Sequence, residues 1–393
     1  MAAEFSIPRR DGPGRAPAVL QVLPALVTGG VERGTVDVAA ALVAAGWRAV
    51  VASSGGPMVR ELERAGAEHV MLPLATKNPF KLRRNARVLA ALIQHGPIDI
   101  VHARSRAPAW SAYWAAGRTG RHFVTTCHAA YGGTSPLKHR YNSVMMRGER
   151  VIAISDFVGA YALQHGVGPE RLRVIPRGVD FGRFDPAAVA PHRLIQLARD
   201  WRLEDGRPVI MLPGRVTRWK GHVELIDAVA ELGRRDAQVL LVGSEEQRPH
   251  FRNELIRRIG RHGLEGVVRM VGDCRDMPAA YMLADVVVSA SVVPEGFGRV
   301  AVEAQAMARP LIATDHGGSR ETVEAGRTAW LVPPRDTGAL AEALASALTL
   351  SSEERQGLGE RARAWVLPRF SIEAMCGATL RVYDELLFPN RQP

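Results

Sequence analysis

Two carboxylates stand in the run PEGFGRVAVEAQAMARP, Glu295 and Glu303, with seven residues between them. Glu295 falls in a Pro/Gly turn, and Glu303 in an Ala-rich stretch that reads as helix. Between them, Gly296-Phe297-Gly298 lets backbone come close to a ligand where the helix begins. Free N–H groups at a helix start suit phosphate, and carboxylates accept hydrogen bonds from sugar hydroxyls. The pattern therefore fits a phosphorylated sugar. Gly296, Phe297 and Gly298 offer backbone N–H groups, Glu295 takes sugar hydroxyls, and Glu303 takes both hydroxyls of a ribose, as acidic residues do in dinucleotide folds. The bland alternative is a turn glutamate followed by a solvated glutamate near a helix N-terminus.

Cations stand elsewhere, in Gly214-Arg215-Val216-Thr217-Arg218-Trp219-Lys220-Gly221, which follows an apolar strand-like run and leads into a helix. Arg215 and Lys220 at a strand mouth can neutralise a diphosphate and stabilise its departure. Lys220 is one of only four lysines in a chain whose basic residues are otherwise arginine. Gly272-Asp273-Cys274-Arg275 also follows a strand-like run, and its backbone can read a nucleobase edge, although Gly-Asp turns are common. Near the start, Gly29-Gly30-Val31-Glu32 opens a helix after a strand. It resembles a phosphate-approaching loop but lacks the spacing of GxGxxG and the lysine of a Walker loop. His128, just past another strand end, can bond a sugar hydroxyl or serve as a satisfied structural residue. Arg104 and Arg106 follow a strand end in HARSR and can bind an anionic acceptor or form surface ion pairs. The sequence has no Asp-x-Asp pair spaced for Mg²⁺ and no His/Cys cluster. Charge neutralisation then falls to Arg215, Lys220 and helix dipoles, and no metal or other cofactor is expected.

These residues need a scaffold with strand ends gathered on one side. Apolar β-type runs at Ala18–Pro24, Trp47–Ala52, His69–Leu72, Ile98–His102, His122–Thr126 and Val151–Ile154 alternate with helical patterns such as Val31–Ala45, Asn78–Gln94 and Pro136–Arg147. The alternation resumes at Pro208–Leu212, Gln238–Val242, Val267–Met270, Asp285–Ser289 and Pro310–Ala313, with helices at Gly221–Leu232 and Pro249–His262. Strands alternating with helices imply parallel sheets covered on both faces. The fold class is therefore α/β, as two doubly wound domains with ligands at the carboxyl ends of the strands. The boundaries predicted are a disordered tail at 1–17, a first domain at 18–195, a second at 196–370 and a terminal helix and tail at 371–393.

Charge is placed unevenly. Residues 1–195 hold 25 Lys+Arg and 13 Asp+Glu, a balance of +12, whereas the remaining 26 and 27 give −1. An anionic partner for the first half follows: a membrane leaflet, a phosphorylated lipid or a nucleic acid, against the alternative of a merely solvated basic surface. No basic stretch is interleaved with aromatics, so nucleic acid is not expected. Cys127, Cys274 and Cys376 fit no metal spacing and read as free thiols of a reducing cytoplasm. The N-terminal stretch lacks the apolar core of a signal peptide, and no uncharged apolar run is long enough to span a membrane.

Taken together, Gly29-Gly30-Val31-Glu32, Ile175-Pro176-Arg177-Gly178-Val179-Asp180, Gly214-Arg215…Lys220-Gly221 and Glu295-x7-Glu303 resemble the retaining GT-B glycosyltransferases of family 4, from about residue 18 to 388. The resemblance implies two Rossmann-like doubly wound domains facing a cleft, with a C-terminal helix (Ser371–Leu387) crossing back to the first. It implies metal-independent transfer of a hexose-type sugar, with retention, from a nucleotide diphosphate sugar (UDP- or GDP-linked). Arg215 and Lys220 would hold the diphosphate, with Gly30 beside it. Glu303 would hold the ribose, Glu295 and Gly296–Gly298 the sugar, and His128 would lie beside that sugar. Arg177 departs from the family's usual Asn and has no assigned role. The segment His102–Ala109 looks most like bacterial enzymes of lipopolysaccharide or capsule synthesis, so the acceptor expected is lipid-linked or a saccharide. The expected location is cytoplasmic and peripheral on an anionic membrane surface. A GT-B-shaped sugar-nucleotide epimerase and a non-enzymatic nucleic-acid-binding protein are the competing readings.

Overall fold

The computed structural model describes residues 15–27, 29–132, 135–244 and 249–390. Most of the tail expected at 1–17 lies outside the described residues. The chain divides into two compact units, residues 1–178 with 372–393, and 179–371.

The first unit runs β1 (Ala18–Val22), α1 (Gly30–Ala44), β2 (Arg48–Ser53), α2 (Val59–Arg64), β3 (Glu68–Met71), α3 (Pro79–His95), β4 (Ile100–Ala103), α4 (Arg106–Thr119), β5 (His122–Cys127), α5 (Pro136–Asn142), β6 (Arg150–Ala153), α6 (Asp156–Gln164) and β7 (Leu172–Val174). Its seven strands are all parallel, in the order β3-β2-β1-β4-β5-β6-β7. Strands covered on both faces need unbroken apolar runs, and β1 (AVLQV) is buried at every position. Its polar member, Gln21, donates to the Thr35 carbonyl at 3.1 Å. Local chemistry sets the helix starts: Asn78 accepts from Phe80 N and Lys81 N at 3.0 and 3.2 Å, and Pro79 takes the first turn of α3.

The second unit runs α7 (Pro191–Asp200), β8 (Val209–Pro213), α8 (His222–Leu232), β9 (Gln238–Val242), α9 (Pro249–Arg261), β10 (Val268–Gly272), α10 (Met277–Leu283), β11 (Val286–Ser289), α11 (Arg299–Ala306), β12 (Leu311–Thr314), β13 (Trp330–Val332), α12 (Thr337–Leu348) and α13 (Ser352–Val366). Its parallel sheet has the order β10-β9-β8-β11-β12-β13. In both units the strand order reverses beside the first strand, between β1 and β4 and between β8 and β11. That reversal opens a crevice at the carboxyl ends where α/β folds bind ligands. Each unit buries its own core, around Val19, Leu42, Val51 and Ile100 in the first and Ile210, Leu241, Val288 and Leu344 in the second.

The last helix, α14 (Ile372–Leu387), belongs to the first unit. Met375, Cys376, Leu380 and Tyr383 are part of that unit's core, and Tyr383 hydroxyl lies 2.6 Å from His102 Nδ1. The doubly wound units and the returning helix agree with the fold class expected for a GT-B chain.

Three details differ from expectation. The unit boundary falls before Val179 rather than at 195, because Val179 N donates to the Phe370 carbonyl at 2.8 Å and Arg193 of α7 pairs with Asp276 at 2.6 Å. The edge strands β7 and β13 have three residues each, too short for an alternation to show. The helix predicted over Pro136–Arg147 breaks after Asn142 into a 3₁₀ turn, Ser143–Met146.

Candidate functional site

The crevice of the second unit gathers most of the residues whose types suggested chemistry. After β8, Gly214 and Arg215 lead into a 3₁₀ turn, Arg218–Lys220, that precedes α8. Arg215 is exposed and has no ion-pair partner among the described residues. Lys220 turns inward, where its Nζ meets Glu295 Oε1 at 2.8 Å and lies 4.6 Å from the centre of the Trp219 ring. Glu295 also accepts from Ser291 Oγ, and Val292 N donates to the Trp219 carbonyl at 2.8 Å. The loop after β11 is thereby tied to the turn after β8.

The Gly296-Phe297-Gly298 segment splits its duties. Phe297 packs its ring on Phe370, with centroids 5.4 Å apart, so its side chain belongs to the core. Backbone N–H groups of Gly296, Phe297 and Gly298 donate to no described residue, so the donors at the start of α11 are available. The segment rests on Gly317 and Gly318 from the turn after β12, where Gly318 N donates to the Glu295 carbonyl at 2.8 Å. A Cβ on Gly318 would lie 2.6 Å from the Gly296 carbonyl oxygen and 2.7 Å from Phe297 Cα, so only glycine allows this approach.

Glu303, one turn into α11, is 9% exposed rather than solvated. It accepts from the Tyr281 hydroxyl at 3.0 Å and pairs with Arg299 at 2.9 Å. Tyr281 is fully enclosed, and burial together with the Glu303 charge holds its hydroxyl protonated. A carboxylate fixed on one side by a phenol and on the other by a guanidinium is rigidly oriented. Each oxygen keeps a lone pair for a further donor.

After β10, Cys274 is half-buried, its thiol pushed up by burial, and Arg275 is exposed. The Arg275 carbonyl accepts from Arg183 at 3.2 Å, and Asp276 caps α10. Both residues lie at the same carboxyl edge of the sheet as Lys220 and Glu295.

In the first unit, Gly30 opens α1 directly after β1 and its loop. His128 follows β5; its backbone N–H donates to Tyr131 hydroxyl at 3.2 Å, and its enclosed Nε2 has no hydrogen-bond partner among the described residues. Burial first, then the charges of Arg177 and Arg104, hold its imidazole well below the usual histidine range, so it is neutral at neutral pH. The two arginines expected to act together separate. Arg104 is 2% exposed and lies beside His128, whereas Arg106 is half-buried, donates to Asn142 Oδ1 at 3.0 Å and stacks 4.5 Å over Tyr131. No group of three or more His, Cys, Asp or Glu side chains is arranged to hold a metal among the described residues.

Sequence reading missed Ser291, Tyr281, Arg299 and the Gly317-Gly318 pair. A Gly-Gly after a strand (DHGGSRE) was the one available signal for the last. The others become visible only when packing brings distant elements to the same carboxylates.

Residues 28–183 match the model described as Glycosyltransferase Family 4, and residues 196–365 match Glycosyl transferases group 1. A solved glycosyltransferase from Rickettsia africae superposes with a TM-score of 0.88 at 37% identity, over 96% of this chain and 100% of that one. Anabaena HepE, solved with UDP-glucose, has a TM-score of 0.81 at 25% identity, covering 94% of this chain and 99% of that one. WcaL of Salmonella typhimurium, named as a colanic acid biosynthesis glycosyltransferase, is 30% identical over 247 residues, 60% of this chain and 56% of that protein. The chain spans 50–61% of the length of the first curated relatives it matches.

Proposed function

The chain belongs to the family 4 glycosyltransferases, and from that premise we propose that it transfers a hexose-type sugar from a nucleotide diphosphate sugar to a lipid-linked or saccharide acceptor of the bacterial envelope, with retention of configuration. The observation that carries this reading is the crevice of the second unit. It sets a lysine, a paired carboxylate and three available backbone N–H groups around the start of one helix. That set suits a sugar linked to a diphosphate and no simpler ligand class as well.

In the proposed reaction the bond between the anomeric carbon and the diphosphate oxygen breaks. The acceptor hydroxyl oxygen forms the new bond on the same face, and its proton passes to the departing phosphate oxygen. Arg215 and Lys220 stabilise the negative charge that builds on that oxygen. Glu295 keeps Lys220 in place and takes a sugar hydroxyl, with Gly296, Phe297 and Gly298 donating from the backbone. Glu303 accepts from the ribose hydroxyls, and the backbone of Cys274 and Arg275 reads the base. From the first unit, His128 offers a neutral imidazole to a sugar hydroxyl, Gly30 lies by the diphosphate, and Arg104 serves the acceptor. Arg106, held by Asn142 and Tyr131, braces the loop that carries His128.

UDP-linked donors come first, because HepE was solved with UDP-glucose. Envelope polysaccharide comes first as the acceptor class, because WcaL carries a colanic acid name. For a membrane-facing surface we propose α3 of the first unit, a reading supported by Lys81, Arg83, Arg84 and Arg87, which stand in that helix without an acidic residue, and by Phe80, which is 79% exposed. Between α3 and α4, a hollow of about 530 Å³ is lined by Arg83, Tyr113, Trp114 and Arg118. No helix among the described residues is long and apolar enough to cross a membrane.

A thermal-shift screen against UDP-, GDP- and ADP-sugars, followed by an assay of donor hydrolysis, tests the donor. Stabilisation by one nucleotide sugar is expected. Conversion of that donor without an acceptor, to an epimer rather than to free sugar, would replace transfer by epimerisation. An inverted anomer in the product by NMR would remove the retaining mechanism.

A further inference from the structure

The two carboxylate oxygens of Glu295 have different surroundings. Oε1 accepts from Lys220 Nζ at 2.8 Å and from the Ser291 hydroxyl. Oε2 accepts from no group among the described residues, so it is the oxygen left for a sugar hydroxyl. Where Oε2 points depends on what holds Oε1. Lys220 has a second duty at the diphosphate, so Ser291 is the anchor whose hold does not depend on the donor.

Ser291 is buried in the turn after β11. Its carbonyl accepts from two side chains beyond β12, Thr314 Oγ1 at 2.9 Å and His316 Nε2 at 2.6 Å. A carbonyl only accepts, so His316 carries a proton on Nε2. His316 N donates to the Thr314 carbonyl at 2.9 Å, a tight turn that brings both side chains to one acceptor. The chain then passes Glu295. Gly318 N donates to the Glu295 carbonyl at 2.8 Å, and a Cβ on Gly317 would lie 2.7 Å from that same oxygen. Residues 314–318 therefore hold both ends of the turn 291–295. Without His316 the Ser291 carbonyl still has Thr314, so the imidazole is not needed merely to satisfy a buried acceptor. A second donor on the same oxygen fixes the direction of the peptide and of the side chain it carries.

We propose that His316 is a positioning residue of the donor-sugar subsite. Its Nε2–H fixes the Ser291 carbonyl, and the Ser291 hydroxyl in turn fixes Oε1 of Glu295, so that Oε2 faces the sugar hydroxyl. The proposal rests on the transfer reading, in which Glu295 takes that hydroxyl. His316 touches neither donor nor acceptor in this role and acts through Ser291 alone.

Calorimetric titration of the full chain with UDP-glucose, GDP-mannose and ADP-glucose, each beside its free nucleoside diphosphate, tests the role. Wild type is expected to bind one of the nucleotide sugars more tightly than its diphosphate. His316→Leu is expected to bind that nucleotide sugar roughly tenfold more weakly and the diphosphate within about twofold of wild type, the latter serving as the check on folding. His316→Gln keeps an N–H at similar reach and is expected to stay within about threefold for both ligands. Added to Ser291→Ala, the leucine change is expected to cost less than about twofold more, because the path to Glu295 is already cut. Unchanged nucleotide-sugar affinity in His316→Leu, equal losses for nucleotide sugar and diphosphate, or a full additional loss on top of Ser291→Ala overturns the proposal and leaves the transfer reading standing. Should His316→Leu fail to fold, His316→Gln and His316→Asn decide: the asparagine amide is too short to reach, so equal affinities in the two overturn the role. A wild type that binds none of the nucleotide sugars overturns the transfer reading, and the role of His316 with it.

Discussion

Lys220 and Glu295 are proposed to serve the donor, yet they are bound to each other. Their separation is 2.8 Å, with side chains 13% and 11% exposed. At an effective dielectric of about 20, charges this close attract by about 6 kcal/mol. Desolvation of both groups cancels most of that, leaving a coupling of about 1–3 kcal/mol, above the value of an exposed pair. Lys220→Met leaves the Glu295 carboxylate with Ser291 as its side-chain partner among the described residues, and Glu295→Gln leaves an ammonium beside Trp219. Each single change is therefore expected to destabilise the second unit more than the double change does. Urea unfolding of wild type, both single variants and the double variant yields the coupling directly. If Lys220 shifts its contacts toward the diphosphate, the coupling measured with saturating UDP falls below the value without it. A coupling under about 0.5 kcal/mol without UDP would refute the structural pair. One that UDP leaves unchanged would refute the assignment of Lys220 to the diphosphate.

Gly318→Ala pushes a methyl against the Gly296–Phe297 backbone, so a cost of about 1–3 kcal/mol in urea unfolding is expected, together with a raised KM for the donor. An unchanged KM would separate that turn from donor binding. Tyr281→Phe removes a hydrogen bond to Glu303 and is expected to lower stability by about 1–3 kcal/mol and to weaken UDP several-fold. UDP titration with unaltered affinity would argue against Glu303 as the ribose anchor. His102 and His128 are held well below the usual histidine range and His222 is lowered to about 4, each chiefly by burial. The unfolded chain therefore takes up protons first as pH falls below about 6.5. Stability is expected to be full above that pH and to decline between there and about pH 4, by up to about 1.4 kcal/mol per pH unit for each such histidine. A urea midpoint that stays level from pH 7 to pH 5 would contradict their burial as neutral groups.

Legibility in the sequence followed the range of the interaction. Apolar runs such as AVLQV and QVLLV, buried at every position, announced parallel strands because both faces of each are covered. Glu295 and Glu303 were legible because chemistry and spacing lie within one short run, and Lys220 because it stands in a turn between a strand-like run and a helix. Their partners were not: Tyr281 reaches Glu303 from α10, and Gly318 reaches Glu295 from the turn after β12. Arg104 and Arg106 looked equivalent in HARSR, yet Arg104 closes β4 while Arg106 opens α4, which sends their side chains to different surroundings. Only the fold separates them.

The place of α14 has a consequence for synthesis. The chain leaves the first unit at Gly178 and re-enters it at Ile372, and Val179 and Ser371 form a parallel bridge at the point of exchange. In genetic terms the second unit is an insertion into the first. A ribosome that has completed all seven strands of the first sheet has still not supplied Met375, Leu380 or Tyr383, which close its core. His102 must wait for its Tyr383 partner until the last turns of the chain emerge. The inserted unit can thus finish folding while its host is still open, so a stop codon shortly before residue 372 would spare the later unit and leave the earlier one unfinished.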